Sequence, residues 1–272
     1  MSETATVLYA AKYVVMTDHD IDALSDFYLK RRRNIEAVVK GILRQVNLPL
    51  YKASVEQAVH MLLKTRTEND VTGQIGEIVS SFVLSHEYGV FLFGLSWPIR
   101  PFDVHRGNDV AGVCLQSMKV LSVESKATRD ASNVPTIAAK AREGMSLDLL
   151  LPRFRLNIDD GQSRRAAIFA LKKAMKKGDV SDLKFTSDMV EKLVSDEVFI
   201  RVGTVVHPRR GSRYDYDGQL EKLKIDDLSH PSGDSNKGTV RFPTAFVDID
   251  VHDIDNVRGV IVHLESYDED EL

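Results

Sequence analysis

Residues Asp109-Val110-Ala111-Gly112-Val113-Cys114-Leu115-Gln116-Ser117-Met118-Lys119-Val120-Leu121-Ser122-Val123-Glu124-Ser125-Lys126 carry the most structural information in the chain. Its second half alternates as a strand does, so Leu121 and Val123 share one face while Ser122, Glu124 and Lys126 share the other. A carboxylate and an ammonium on an otherwise apolar strand need partners, because burying either charge alone is costly. The preceding run opens with Asp109, and the short Gln116-Ser117-Met118 connection predicts an antiparallel hairpin. Centred on Ser117, that hairpin sets residue 109 across from residue 125, between Glu124 and Lys126. A slip of one residue moves Asp109 to the other face. In the favourable register two carboxylates and a lysine converge. Carboxylates without cysteine or histidine make a hard oxygen site suited to Mg²⁺ or Mn²⁺ rather than zinc. A divalent ion there activates water and clamps a phosphoryl oxygen, with the lysine stabilising developing negative charge.

Working outward, Val71, Ile75, Ile78, Val79, Phe82 and Val83 recur at helical spacing and predict a helix over Asp70–His86. Glu77 lies nearly opposite that apolar face, among Gly73, Gly76 and Ser80. Small residues there let another backbone come close and set Glu77 against the site; the alternative is a solvated helix carboxylate. Strands are expected at Val90–Trp97, Asp109–Leu115 and Lys119–Lys126, then helices at Pro135–Leu151, Ser163–Lys177 and Ser187–Val194. A strand at Val198–Val206, a long loop over 207–240, and strands at Ala245–Val251 and Val257–Leu264 complete the chain before an acidic tail. Upstream, residues 5–17 suit a strand, and helices are expected at Ile21–Val46, behind Asp18 and Asp20 as caps, and at Ser54–Lys64. The expected fold is α/β, one mixed sheet flanked by helices. Residues 1–69 form a mainly helical lead-in, and residues 70–272, with their core at 70–151, pack as one unit that includes the C-terminal strands.

Glu77 on a helix, then Asp109, then Glu124-Ser125-Lys126, resembles the PD-(D/E)XK nuclease superfamily, and the order helix–strand–strand–strand–helix is similar to its core. The resemblance implies a restriction-endonuclease-like core and metal-dependent phosphodiester hydrolysis. It makes Asp109 and Glu124 metal ligands, Lys126 the catalytic lysine and Glu77 an auxiliary acid. Asn108 stands where the superfamily has proline, and Asp103, after Pro101 and Phe102, is the competing choice for the aspartate. More narrowly, Gly76-Glu77, Asn108–Val113 and Glu124–Ala127 resemble the HamA-type nuclease subunits of Hachiman antiphage defence, over about residues 70–145. That resemblance implies a separately encoded helicase partner. The chain has no GxxxxGK[ST] loop to make it the ATP-driven component.

Composition bounds the rest. The 272 residues are 43% hydrophobic and 28% charged, enough apolar material for a sizeable core. With 36 Lys and Arg against 40 Asp and Glu, the net charge is −4, so any nucleic-acid surface must be a local patch. The helix Ser163–Lys177 offers one, with Arg164, Arg165, Lys172, Lys173, Lys176 and Lys177 opposite its apolar side; such a face tracks a phosphate backbone, or is a solvated or docking face. Arg31-Arg32-Arg33 and the Arg209, Arg210, Arg213, Tyr214, Tyr216 segment are weaker candidates, read as a solvated face and a mobile loop. Asp248, Asp250, Asp253 and Asp255 read as solvated charge at a sheet edge. His19-Asp20 lacks the further histidines of a phosphohydrolase. The single cysteine, Cys114, excludes an internal disulfide and fits a cytoplasmic chain, and no apolar run approaches a membrane span. The expectation is a nuclease dependent on Mg²⁺ or Mn²⁺ and serving a defence system, with DNA the preferred substrate and RNA left open. The alternative is a non-catalytic interaction subunit whose Asp/Glu/Lys cluster is structural.

Overall fold

Strand-period alternation around Glu124 organises two layers of helices on a six-stranded sheet. The computed structural model describes residues 9–29, 68–92, 110–114, 119–147, 200–229 and 242–266. In chain order these form β1 (Tyr9–Met16), helix α1 (residues 18–29), α2 (Glu68–Tyr88), β2 (Val90–Leu92), β3 (Val110–Cys114) and β4 (Lys119–Ala127). A 3₁₀ turn at Ala131–Asn133 leads into α3 (Val134–Gly144), followed by β5 (Ile200–Pro208), α4 (Asp217–Ser229), β6 (Thr244–Val251) and α5 (Ile254–Ser266). The strand order is β1-β6-β5-β4-β3-β2. The four strands β1, β6, β5 and β4 run parallel, and β3 and β2 extend the sheet as antiparallel neighbours. The protein is thus α/β.

Parallel neighbours need crossovers with helices. α3 lies between β4 and β5 in the chain, and α4 between β5 and β6. Because such strands are covered on both faces, β5 and β6 are buried along almost their whole length. One face carries Val123, Val202, Val206, Val247, Ile249 and Val251, packed with Leu24 and Tyr28 of α1, Ile78 and Phe82 of α2, and Val257 and Ile261 of α5. The opposite face is covered by α3 and α4, where Met145, Tyr216, Leu220, Leu223 and Phe246 are buried. Each fully buried aliphatic side chain contributes about 1.5–3 kcal/mol. β1 lies within the strand expected over residues 5–17 and closes one side of this sheet.

α2 buries the expected Ile75, Ile78, Val79, Phe82 and Val83, with Ser80, Ser81 and Leu84 as well. It ends at Gly89, whose φ of 59° lies in the left-handed region that favours glycine. α1 starts with Thr17 and Asp20 in a capping box, Asp20 Oδ2 accepting from the Thr17 amide at 2.7 Å and its hydroxyl at 2.8 Å.

Two expectations are corrected. The segment Val257–Leu264 is not a strand but lies within α5. Ile254, Val257 and Ile261 recur at helical spacing, and Asp253 Oδ1 caps the helix by accepting from the Asn256 amide. Residues 207–240 are not loop throughout, because α4 occupies Asp217–Ser229. Leu220, Leu223 and Asp227 form its buried stripe. The expected helices Ser54–Lys64, Ser163–Lys177 and Ser187–Val194 lie outside the described residues.

Candidate active site

β4 projects Glu124 and Lys126 from one face, as the alternation predicts. Lys126 Nζ lies 2.5 Å from Glu124 Oε1 and donates to the Ser125 carbonyl at 3.1 Å. The two side chains differ in access: 9% of Glu124 is exposed against 30% of Lys126. The carboxylate is held inside while the ammonium reaches toward solvent. Both lie toward the carboxyl end of a strand in a parallel block, where open α/β sheets place their ligand crevices. Ser125 points the other way. Its hydroxyl meets Ser80 Oγ at 2.9 Å, and Ser80 donates to Thr204 Oγ1 at 2.6 Å, so this serine ties α2 to the sheet.

The hairpin register differs from expectation by one residue. Val110 pairs with Val123 and Cys114 with Lys119, rather than the pairing centred on Ser117. Directly opposed residues share a face, so the expected pairing of 109 with 125 would have separated Asp109 from Glu124. Asp109 itself lies outside the described residues, as do Asp103, Arg31 to Arg33, and the basic-helix candidates Arg164, Arg165, Lys172, Lys173, Lys176 and Lys177.

Glu77 is half-buried on α2. The small residues beside it do meet β4: a Cβ on Gly76 would stand 3.0 Å from Ala127 Cβ and 3.2 Å from Ser125 Oγ. That contact is on the Ser125 face, so Glu77 and Glu124 start from opposite sides of the sheet. The structure brings Glu124 and Lys126 together and sets Glu77 on the neighbouring layer.

A second polar string runs along the face of Glu124, and it corrects the expectation for Asp248. Asp248 is not solvated charge at an edge. β6 is an interior strand, and Asp248 is buried with Oδ1 2.5 Å from His207 Nε2. His207 Nδ1 lies 2.7 Å from the Pro208 carbonyl, which only accepts, so that nitrogen carries a proton. Burial alone favours the neutral ring. The Asp248 and Pro208 hydrogen bonds and the Asp248 and Asp250 charges outweigh it and raise the His207 pKa. Burial, then Asp248, keeps the Tyr216 hydroxyl protonated. Deeper in the same face, fully buried Arg201 places Nη2 2.7 Å from Asp227 Oδ1 and Nη1 3.5 Å from Asp226 Oδ2. Arg201 Nε donates to Thr244 Oγ1 at 3.0 Å. Burial pulls the Arg201 pKa down and pushes that of Asp227 up.

The 209–216 segment is anchored rather than loose: Arg213 sits 4.7 Å over the Tyr13 ring, Arg210 sits 5.9 Å over Tyr214, and Tyr216 stacks on Phe246 at 4.7 Å.

Among the described residues no group of three or more His, Cys, Asp or Glu side chains gathers as a metal site, and no helix is long and apolar enough to cross a membrane. The described donor at the pair is the Glu124 carboxylate, an oxygen ligand whose chemistry fits a hard divalent cation. No family model, curated protein or solved structure matches the chain.

Proposed function

We propose that this chain is a metal-dependent nuclease of the PD-(D/E)XK type that hydrolyses phosphodiester bonds of DNA. In this reading it is the effector subunit of an antiphage defence system with a separately encoded helicase partner. The observation that carries the reading is the Glu124–Lys126 pair, projecting from one face of β4 near its carboxyl end with the carboxylate inside and the ammonium outward. The element order supports it: α2, then β2, β3 and β4 as an antiparallel meander, then α3, then β5 parallel to β4. That order fits a restriction-endonuclease-like core, with β6 and β1 added beyond β5.

In this reading Glu124 and Asp109 hold Mg²⁺ or Mn²⁺. The cation supplies Lewis-acid activation of water and charge neutralisation at the scissile phosphate. Lys126, whose ammonium is the more exposed partner, then turns from Glu124 toward the phosphate oxygens and stabilises their developing charge. Glu77, which starts from the other side of the sheet, is left out of this site, and the basic residues Arg164, Arg165, Lys172, Lys173 and Lys176 are the candidates to track the phosphate backbone.

The same 2.5 Å contact favours a second reading, a non-catalytic interaction subunit in which the pair is structural. Titration with Mn²⁺ separates the two. A nuclease site binds the ion and loses it in Asp109→Ala and in Glu124→Ala. A structural pair binds none, and its removal lowers stability alone.

A further inference from the structure

We propose that Gly144, the last residue of α3, is a positioning residue that fixes the Glu124 carboxylate for its cation. This rests on the metal-dependent reading above. A Cβ built on Gly144 would stand 2.3 Å from Glu124 Cδ, 2.5 Å from Cγ and 2.5 Å from Oε1. No real Cβ tolerates such distances, so the bare Cα is the wall against which the carboxylate lies.

The backbone gives no other reason for glycine there. Among the described residues the one glycine at positive φ is Gly89, and Met145, which follows Gly144, is in the right-handed helical region at φ −87°. Glycine costs about 1 kcal/mol relative to alanine in a helix interior and less in the last position, which Gly144 occupies. At this position that cost is offset by no turn geometry. What the missing side chain provides is room for Glu124.

The atoms that a Cβ meets are Cγ, Cδ and Oε1 of the glutamate side chain, and none belongs to the backbone. Relief comes from turning the glutamate side chain about its own torsions, so substitution displaces the carboxylate before it displaces a backbone. The wall also has a sign. It is the carboxyl end of a helix, where the partial charge is negative. A carboxylate beside that end is favoured by nearby positive charge, which the Lys126 ammonium supplies and which a divalent cation would supply more strongly. Gly144 thus sets both where the oxygens point and how strongly they call for a cation.

The test uses the full chain, Mn²⁺ affinity by electron spin resonance, and thermal melts. Gly144→Ala is expected to fold and to weaken Mn²⁺ binding about tenfold or more, the usual effect of disturbing a group that orients a metal ligand. Its effect on the melting temperature should turn from neutral or negative to positive in a Glu124→Ala background. There the obstruction is gone, and only alanine's better helix propensity remains. Gly144→Ala binding Mn²⁺ as tightly as the unaltered chain overturns the inference, and so does a melting shift identical in both backgrounds. Failure of the unaltered chain to bind Mn²⁺ overturns the nuclease reading itself, and the inference with it.

Discussion

His207 Nε2 lies 2.5 Å from Asp248 Oδ1, while Nδ1 of the same ring is committed to the Pro208 carbonyl. With Nδ1 protonated, a second proton sits between Nε2 and the carboxylate, so the buried pair is net neutral. The folded pKa of His207 is raised above its ordinary 6.5. The pair's stabilisation is therefore fully present below the unfolded value and fades as pH climbs through the folded one. Urea denaturation between about pH 6 and pH 9 should show the unaltered protein losing stability with rising pH, and His207→Gln much less so. Parallel curves for the two would remove the pair from the account.

Arg201 and Asp227 make a buried ion pair whose close approach is not a well-aligned hydrogen bond: Arg201 Nη2 and Asp227 Oδ1 are 2.7 Å apart, yet neither completes one. Asp227 Oδ2 also accepts from the Tyr9 hydroxyl and the Phe242 amide. Asp227→Ala should destabilise by about 3–5 kcal/mol, because it strands a guanidinium without its main counter-charge. The Arg201→Met/Asp227→Leu double variant should lose less than either single change. A double-mutant cycle by chemical denaturation reads this directly.

Gly76 is where α2 meets β4 most closely, with Ala127 Cβ in the way of any side chain. Ala127 is a backbone-anchored methyl and cannot swing aside. Gly76→Val should lower stability by about 1–3 kcal/mol through overpacking, measured as a shift in the urea midpoint at unchanged slope. No shift would mean that α2 is held elsewhere.

If Glu124 holds a cation, Mg²⁺ should stabilise the fold. A ligand at about a hundred times its dissociation constant adds about 2.7 kcal/mol. The melting temperature of the unaltered chain should rise with Mg²⁺ and fall back with chelator, whereas Glu124→Gln should respond little. Equal responses would place the ion elsewhere.

Much of the fold around β4 was legible because it is local. The period-two alternation of Lys119–Ala127 and the helical spacing of Ile75, Ile78, Val79 and Phe82 are visible in any window of a few residues. What misled was context. Val257-Arg258-Gly259-Val260-Ile261-Val262 has the β-branched content of a strand, but its cap at Asp253 and its packing make it helix. The hairpin register could not be fixed from the centre of its connection, and one residue reverses which face a side chain takes. Asp248 looked solvated because nothing nearby in sequence announces His207; strand pairing at long range brings them together. For the site, the Glu124–Lys126 pair was readable from alternation alone. Gly144 was not, because its role depends on the end of one helix meeting a strand that precedes it in the chain.

The most direct measurement is cleavage of supercoiled and linear DNA by the purified chain, with Mg²⁺ or with chelator, beside Lys126→Ala and Glu124→Ala. Cutting is expected to require the metal and to fall by about 10²–10³-fold or more in both variants, with their melts close to that of the unaltered protein. Cutting that persists at full rate in both variants, or that ignores the chelator, would contradict the nuclease reading.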